Sequence, residues 1–197
     1  MSYITHLITT KLIDNKVIDK ELYNIYKYGL EVFLSAIVSI IIIFFISIIL
    51  NCIYSSLIFL AVFIPTRNYC GGYHANTYFK CSLTIITIYL SILFLSNVTI
   101  VSSIFIIILY SFCFFVFLKF SPVENKAKGI TNNDKLKFKK TSLILLILSF
   151  IICLSLYYIN MVVQAHIILF TDISISILII IGKKKGERDE IYHQNNS

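Results

Sequence analysis

Three long stretches without charge dominate this chain of 197 residues. The first runs over 35 residues from Val32 to Thr66, the second over 38 residues from Cys81 to Leu118, and the third from Thr141 to Gly182 with Asp172 as its one charge. A helix needs about 20 apolar residues to cross a hydrocarbon core of about 30 Å. Each stretch is therefore long enough for two spanning helices. With 58% hydrophobic and 14% charged residues, the composition also indicates an integral membrane protein.

An asparagine near the middle of each stretch marks the predicted turn: Asn51, Asn97 and Asn160. We therefore predict an all-α, polytopic membrane bundle with about six segments. The spans are expected at residues 32–50, 52–65, 82–96, 98–118, 142–159 and 161–181. The second segment has only 13 residues before Pro65, which is expected to end it, so it is either a short span or a re-entrant segment.

The basic residues predict the orientation of the bundle, since Lys and Arg are retained on the cytoplasmic side. All 17 basic residues lie outside the three stretches. They lie before the first stretch, between the predicted second and third spans, between the predicted fourth and fifth spans, or after the last stretch. We therefore predict one domain, 1–197, in the cell membrane, with four cytoplasmic parts. These are an amphipathic segment (1–31), a loop at 66–81, a basic loop at 119–141 and a tail (182–197).

The N-terminal segment has apolar residues at helical spacing, interrupted at Asp14 and Asn15. It either lies flat in the membrane interface or packs against the bundle. The formal net charge of +7 is accounted for by loops beside anionic lipid, so we predict the bilayer and no nucleic acid as a partner.

The loop at 66–81 is a short polar segment that holds a thiol, an imidazole, a guanidinium and a Gly-Gly pair. On one continuous helix, His74 and Cys81 would stand about 10 Å apart, too far for the ~3 Å contact of an acid-base pair. We therefore predict that the chain folds back at Gly71 and Gly72 and that a new helix begins just before Cys81. The helix N-terminus, an imidazolium and Arg67 would then all favour the Cys81 thiolate.

The five cysteines do not form a disulfide framework in this interpretation. Three of them lie inside apolar stretches, where a thiol behaves as a small hydrophobic group. Cys70 and Cys81, together with His74, supply three possible zinc ligands without the usual paired spacing. We predict no metal and no cofactor.

Arg67 through Cys81, with the pattern R-x3-G-G-Y-H-A-x5-C, closely resembles the signature of the accessory gene regulator protein B family, AgrB. Two weaker landmarks agree: Tyr28-Gly29-Leu30-Glu31 before the first span, and the proline-containing segment that begins at Ser121 and ends at Lys126. Members of that family are membrane cysteine peptidases that process the precursor of a cyclic quorum-sensing peptide.

The resemblance implies that Cys81 is the nucleophile and His74 the general base and then acid. The implied substrate is an AgrD-like signal-peptide precursor, from which the enzyme removes an acidic C-terminal tail through a Cys thioester. The peptide's own thiol or hydroxyl then closes a thiolactone or lactone ring. The resemblance is also compatible with a homodimer and with a role in virulence regulation.

Other site residues are less clearly assigned by the sequence. Arg67 and the Gly71-Gly72 backbone are candidates for stabilising the oxyanion or orienting the substrate, although Arg67 is equally well explained as an anchor for lipid phosphate. Glu124 is a candidate to orient His74. A lysine cluster either binds the acidic precursor tail or only fixes the topology; it consists of Lys135, Lys137, Lys139 and Lys140.

Two other functions remain open from the sequence. In a transporter or exporter component, Asp172, His166 and Gln164 in the last span would form the substrate or proton path. If the chain is a peptidase, Asp172 is expected to pair with Gln164 or His166 across the bundle or to mark a subunit interface. In a non-enzymatic scaffold, the polar loop would only bind a partner.

Overall fold

The computed structural model describes residues 2–14, 18–19, 23–71, 78–123 and 132–194. These residues form seven helices, and the described part of the chain has no strand beyond one isolated bridge. The helices are α1 (Ser2–Asp14), α2 (Tyr23–Ile49), α3 (Ile53–Cys70), α4 (Tyr78–Val98), α5 (Ser103–Phe120), α6 (Asn132–Tyr158) and α7 (Val162–Gln194). The predicted all-α fold is confirmed.

Five of these helices are long and apolar enough to cross a membrane: α2, α4, α5, α6 and α7. Helix α3 corresponds to the predicted short segment and is not among the five. The prediction that Pro65 ends this segment was wrong, because α3 continues through Pro65 to Cys70. A proline removes one backbone hydrogen bond from a helix. The buried side chains of Phe59 and Phe63 before Pro65, and of Cys70 after it, hold α3 in place in the protein interior.

Two of the predicted asparagine turns are present. Asn51 and Asn160 have positive φ angles of 51° and 63°, in the left-handed region that asparagine tolerates better than most residues. Asn97 instead stays in the last turn of α4, where its side-chain Nδ2 donates to the Leu93 carbonyl oxygen at 2.7 Å. The chain therefore reverses after Val98, slightly later than predicted.

Helix α7 forms the centre of the bundle. In the part of α7 that is long and apolar enough to span the membrane, 67% of the residues are buried, against 22–28% in the other four candidate spans. Helix α7 packs against α3, α4, α5 and α6. Large apolar side chains on the outer helices are exposed instead, including Phe45, Phe94 and Ile104. Apolar surface around a partly polar interior is the arrangement expected for a protein surrounded by lipid.

The end of the bundle that contains Gly71 is called the Gly71 end below. Helix α3 ends there, and α4 begins seven residues later. Because the turn at Asn51 joins α2 to α3 at the opposite end, α2 also begins at the Gly71 end. Helix α1 ends at Asp14, where the sequence predicted an interruption, and packs against α2.

Two predicted extramembrane segments are partly helical. The second half of the 119–141 segment forms the first turns of α6, which begins at Asn132. The tail predicted from residue 182 continues α7 as far as Gln194. These extensions are rich in lysine, and straight-chain residues such as lysine favour helix.

Candidate functional site

The last turn of α3 ends at a tightly capped bend. The Gly71 amide donates to the Arg67 carbonyl oxygen at 3.2 Å and so continues the helical hydrogen bonding by one residue. The Arg67 side chain reaches forward, and its Nη1 donates to the Gly71 carbonyl oxygen. Carbonyl groups at a helix C-terminus need partners from outside the helix, and here a cation supplies one of them.

Gly71 is the residue at which the helix breaks. Its φ of 67° and ψ of −146° lie in a region that residues with a side chain rarely adopt. It forms a parallel bridge with Val123, whose amide donates to the Cys70 carbonyl oxygen at 3.0 Å. A Cβ atom on Gly71 would lie 2.5 Å from the Val123 carbonyl oxygen, so only glycine fits here.

The Gly71–Val123 bridge brings together two sequence landmarks that are 52 residues apart. Val123 follows Pro122, whose peptide bond with Ser121 is cis, and Ser121 Oγ lies 3.1 Å from Ser142 Oγ on α6. The proline-containing segment therefore connects the end of α3 to α6. The sequence carried a signal for each landmark and none for their pairing.

Cys81 lies in the first turn of α4, and its side chain is partly buried. This agrees with the predicted helix start just before Cys81. The Arg67 guanidinium on α3 is near both Cys70 and Cys81: burial lowers the pKa of Arg67, and electrostatic interaction with these two cysteines acts in the opposite direction. Cys81 therefore combines a position in the first turn of a helix with a nearby guanidinium.

Cys70 has a different environment. It is fully buried, and its Sγ donates to the Gly71 carbonyl oxygen at 3.4 Å. Burial raises the pKa of the Cys70 thiol to about 12, although Arg67 acts in the opposite direction. At neutral pH Cys70 is thus a protonated thiol and a poor nucleophile.

Three of the predicted site residues, Gly72, His74 and Glu124, lie outside the described residues. The proposed contact between His74 and Cys81 therefore stays a prediction, as does the orienting role of Glu124. Within the parts of the chain that are described, no three His, Cys, Asp or Glu side chains come together as a metal-binding group.

The lysine cluster lies on the first turns of α6, close to the end of α3. Phe138, in the middle of the cluster, packs edge-on against Tyr69 with ring centroids 5.9 Å apart. Lys137 and Lys140 are exposed, whereas Lys135 and Lys139 are partly buried. The cluster thus lies at the Gly71 end, on the same side of the bundle as Arg67 and Cys81.

Asp172 lies at the centre of the bundle and is fully buried. Its Oδ2 accepts hydrogen bonds from Tyr110 Oη on α5 at 3.0 Å and from Ser149 Oγ on α6 at 2.5 Å. The expected pairing with Gln164 or His166 was wrong, because all three residues lie on α7, six to eight positions apart along one helix axis. His166 instead accepts a hydrogen bond at Nε2 from the Val101 amide, 3.4 Å away in the α4–α5 turn.

Two buried polar contacts join α2 to its neighbours at the Gly71 end. The Ser82 hydroxyl lies 3.0 Å from the Ser35 hydroxyl and joins the start of α4 to α2. One turn earlier on α2, Glu31 is buried and accepts a hydrogen bond from Thr5 of α1 at 3.1 Å. Glu31 had been singled out only as part of a weak landmark, although an acidic residue at the start of an apolar stretch is itself a signal of function.

Known proteins are similar to this chain over most of its length. The model of the family described as accessory gene regulator B matches residues 5–182. An AgrB-like protein from Clostridium perfringens (strain SM101 / Type A) is 35% identical over 166 residues, which cover 79% of this chain and 78% of that protein. AgrB-like protein 2 from Clostridium perfringens (strain 13 / Type A) is 34% identical with the same coverage. No solved structure matches. The extent of the family match over the whole helical bundle shows that this chain belongs to the accessory gene regulator B family.

Proposed function

We propose that this protein is a membrane cysteine endopeptidase of the quorum-sensing system. It removes the C-terminal tail of a signal-peptide precursor and promotes cyclisation of the remaining peptide. The observation that carries the proposal is the environment of Cys81, which lies in the first turn of α4 near the Arg67 guanidinium. Family membership supports the same assignment.

The reaction needs two steps at one sulfur. In the first, the Cys81 thiolate attacks the scissile carbonyl carbon, the C–N bond breaks, and the leaving amine takes a proton from the His74 imidazolium. In the second, the neutral imidazole accepts the proton of the peptide's own thiol or hydroxyl, which attacks the thioester. Cys81 leaves as a thiolate, and the ring is closed.

A cysteine nucleophile suits this ring closure. Transfer from Cys81 to a peptide thiol exchanges one thioester for another at little cost, whereas the same transfer from a serine ester would be uphill. Hydrolysis of the acyl-enzyme is the competing reaction, so the peptide thiol has to be held close and water kept away. A site at the lipid boundary meets both needs if the leader of the precursor lies in the same interface.

The hydrogen bond that caps α3 suggests how Arg67 contributes to the reaction. Its Nη1 is already bonded to the Gly71 carbonyl oxygen, which fixes the guanidinium in place. A planar guanidinium held in this way is preorganised to stabilise negative charge that develops near Cys81. The partly buried position favours this role over the alternative of a lipid-phosphate anchor.

The lysine cluster on α6 is a candidate binding surface for the acidic tail of the precursor. Phe138 in this cluster contacts Tyr69, two residues after Arg67 along α3, so we place the bound tail at the same end of the bundle as Cys81. We place the Gly71 end on the cytoplasmic side, because it collects the basic residues of the chain.

Labelling of single cysteines tests this orientation. A variant with Cys81 as its sole cysteine is compared with one that has only Ile100→Cys, a position 95% exposed in the α4–α5 turn. A membrane-impermeant maleimide added outside intact cells is expected to label Ile100→Cys and to leave Cys81 unmodified until the cells are permeabilised. Rapid labelling of Cys81 from outside contradicts the orientation.

Transport is a second candidate function, favoured by the buried Asp172 carboxylate. Its Oδ1 has no hydrogen-bond partner among the described residues, a costly state for a buried polar atom. Asp172→Asn keeps an oxygen that can accept from Tyr110 and Ser149 but removes the ionisable group. If the protein is a peptidase, precursor cleavage by Asp172→Asn in reconstituted vesicles stays within about threefold of wild type, because ordinary hydrogen bonds are retained. Loss of peptide flux across the vesicle membrane with cleavage intact would instead support transport.

A further inference from the structure

The starting point for this inference is the number of hydrogens available around Asp172, the fully buried carboxyl group at the centre of the bundle. Ser149 Oγ lies 2.5 Å from Asp172 Oδ2 and 2.9 Å from the Leu146 carbonyl oxygen. A serine hydroxyl has one hydrogen and two lone pairs, so it makes one strong donor bond. If Ser149 donates to Leu146, the hydrogen between Ser149 and Asp172 must belong to the carboxyl group.

Two further features of the carboxyl group favour this assignment. Tyr110 Oη lies 3.0 Å from Oδ2, farther than the roughly 2.5–2.7 Å at which a hydroxyl donates to a carboxylate. The other oxygen, Oδ1, has no hydrogen-bond partner among the described residues. An unpartnered oxygen costs more in an anion than in a neutral acid, where it is only a carbonyl oxygen.

No positive charge balances an ionised Asp172. No basic side chain in the described part of the chain pairs with it. The titratable groups that interact with it from α3, α5 and α6 are a phenol and three thiols: Tyr110, Cys70, Cys113 and Cys153. A buried carboxylate without a cation is strongly destabilised, and taking up a proton removes that cost.

The remaining titratable groups on the helices packed around Asp172 have other partners or lie elsewhere. On α4, Tyr89 bonds to α3, whereas Lys80 and Cys81 lie in the first turn. On α7 itself, His166 lies six residues away and accepts a backbone amide. The cations of α3, α5 and α6 lie in the turns at the Gly71 end.

Ser149 also connects the carboxyl group to a cavity between α3, α6 and α7. This cavity has a volume of about 350 Å³, room for several water molecules at about 30 Å³ each. Ser149 and Gln164 are polar groups in its lining. The hydrogen between Asp172 and Ser149 therefore lies beside a space through which a proton can be exchanged.

We propose that Asp172 is a proton-binding site: its carboxyl group is protonated at neutral pH, donates its Oδ2 hydrogen to Ser149, and exchanges the proton through this cavity. Tyr110 donates to the same Oδ2, and Ser149 in turn donates to Leu146. The inference does not depend on the proposed peptidase, because none of these residues takes part in the chemistry at Cys81. It supplies the second candidate function, transport, with a defined ligand, H⁺.

Infrared spectroscopy of the full-length protein tests the protonation state. The protein is placed in vesicles of ether-linked phospholipid, which has no ester carbonyl, and one sample contains aspartate labelled isotopically at the carboxyl carbon. At neutral pH we expect the C=O stretching band of a carboxylic acid, which shifts with the label and is lost in Asp172→Asn. Glu31→Gln is the matched control, because Glu31 is also buried, and it is expected to keep the labelled band.

Transfer into heavy water tests the route of exchange. Deuteration lowers the frequency of the band, and its rate is compared in Ser149→Ala and Tyr110→Phe, each of which removes one hydroxyl that contacts Oδ2. In Ser149→Ala we expect a band at higher frequency and exchange several-fold slower than in wild type, because the acid has lost its acceptor and its route to the cavity. Tyr110→Phe is expected to exchange at the wild-type rate.

Three results overturn the inference. They are the absence of a label-sensitive acid band from wild type at neutral pH, an unchanged band in Asp172→Asn, and equal frequencies and exchange rates in Ser149→Ala and Tyr110→Phe. If Asp172→Asn folds poorly, the label and the frequency shift in Ser149→Ala together still assign the band. Wild-type protein that leaves the precursor uncleaved refutes the proposed peptidase and not this inference.

Discussion

Replacing Cys81 by alanine is expected to abolish removal of the precursor tail, with a loss of at least about 10³-fold in rate. The reason is that no other group can form the covalent thioester on which both steps depend. Cys81→Ser is expected to be nearly as defective, because a hydroxyl near a guanidinium remains protonated at neutral pH and its ester would not pass the acyl group to a thiol. The measurement is the separation of intact precursor from released tail after incubation with protein in vesicles.

Cys70→Ala is the matched control for this experiment. Cys70 lies at the end of α3, is buried, and has a thiol whose pKa burial raises to about 12. The variant is expected to keep much of the wild-type rate, since it loses only weak sulfur contacts to the Arg67 and Gly71 carbonyl oxygens. Wild-type cleavage by Cys81→Ala, or equal loss in both variants, would refute Cys81 as the nucleophile.

Gly71→Ala is expected to have the second-largest effect, although Gly71 has no side chain to take part in chemistry. The new Cβ would lie 2.5 Å from the Val123 carbonyl oxygen, and alanine would have to adopt a φ near 67°. Strain of this kind costs about 1–3 kcal/mol before the clash is counted. We expect a lower unfolding temperature in detergent, measured as the temperature at which the buried Cys113 and Cys153 react with a thiol dye. We also expect cleavage to fall by about 100-fold or more.

Gly29→Ala separates this effect from the general cost of replacing a glycine. Gly29 lies inside α2, and a Cβ there meets nothing within 4 Å. Alanine is the better helix former by up to about 1 kcal/mol, so this variant is expected to unfold no earlier than wild type. A Gly71→Ala variant as stable and active as Gly29→Ala would show that the bridge to Val123 is not needed.

Much of the fold could be predicted because a bilayer restricts the possible structures so strongly. Length and apolarity predicted six segments, and five of the described helices are long and apolar enough to span a membrane. Two of the three asparagines marked the turns. The second segment was predicted less well. Pro65 is a local signal to end a helix, whereas the continuation of α3 to Cys70 depends on side chains packed from α6 and α7. Local sequence does not contain that information.

Part of the candidate site could be predicted because Arg67, Gly71 and Cys81 lie close together in sequence. Helix geometry required a break between α3 and the helix that carries Cys81. The structure has this break at Gly71. The backbone of Val123 comes to the site from a distant part of the chain, so one sequence could not reveal its position.

The bridge between Gly71 and Val123 also has a consequence for how the bundle can open. It turns the 51 intervening residues, 72–122, into a closed backbone loop, which contains both α4 and α5. The end of α5 is therefore tied to the end of α3, so the two helices that flank α4 along the chain cannot separate at the Gly71 end unless the bridge breaks. Any opening of the bundle for a bulky peptide is accordingly expected to leave α3 and α5 joined at this end.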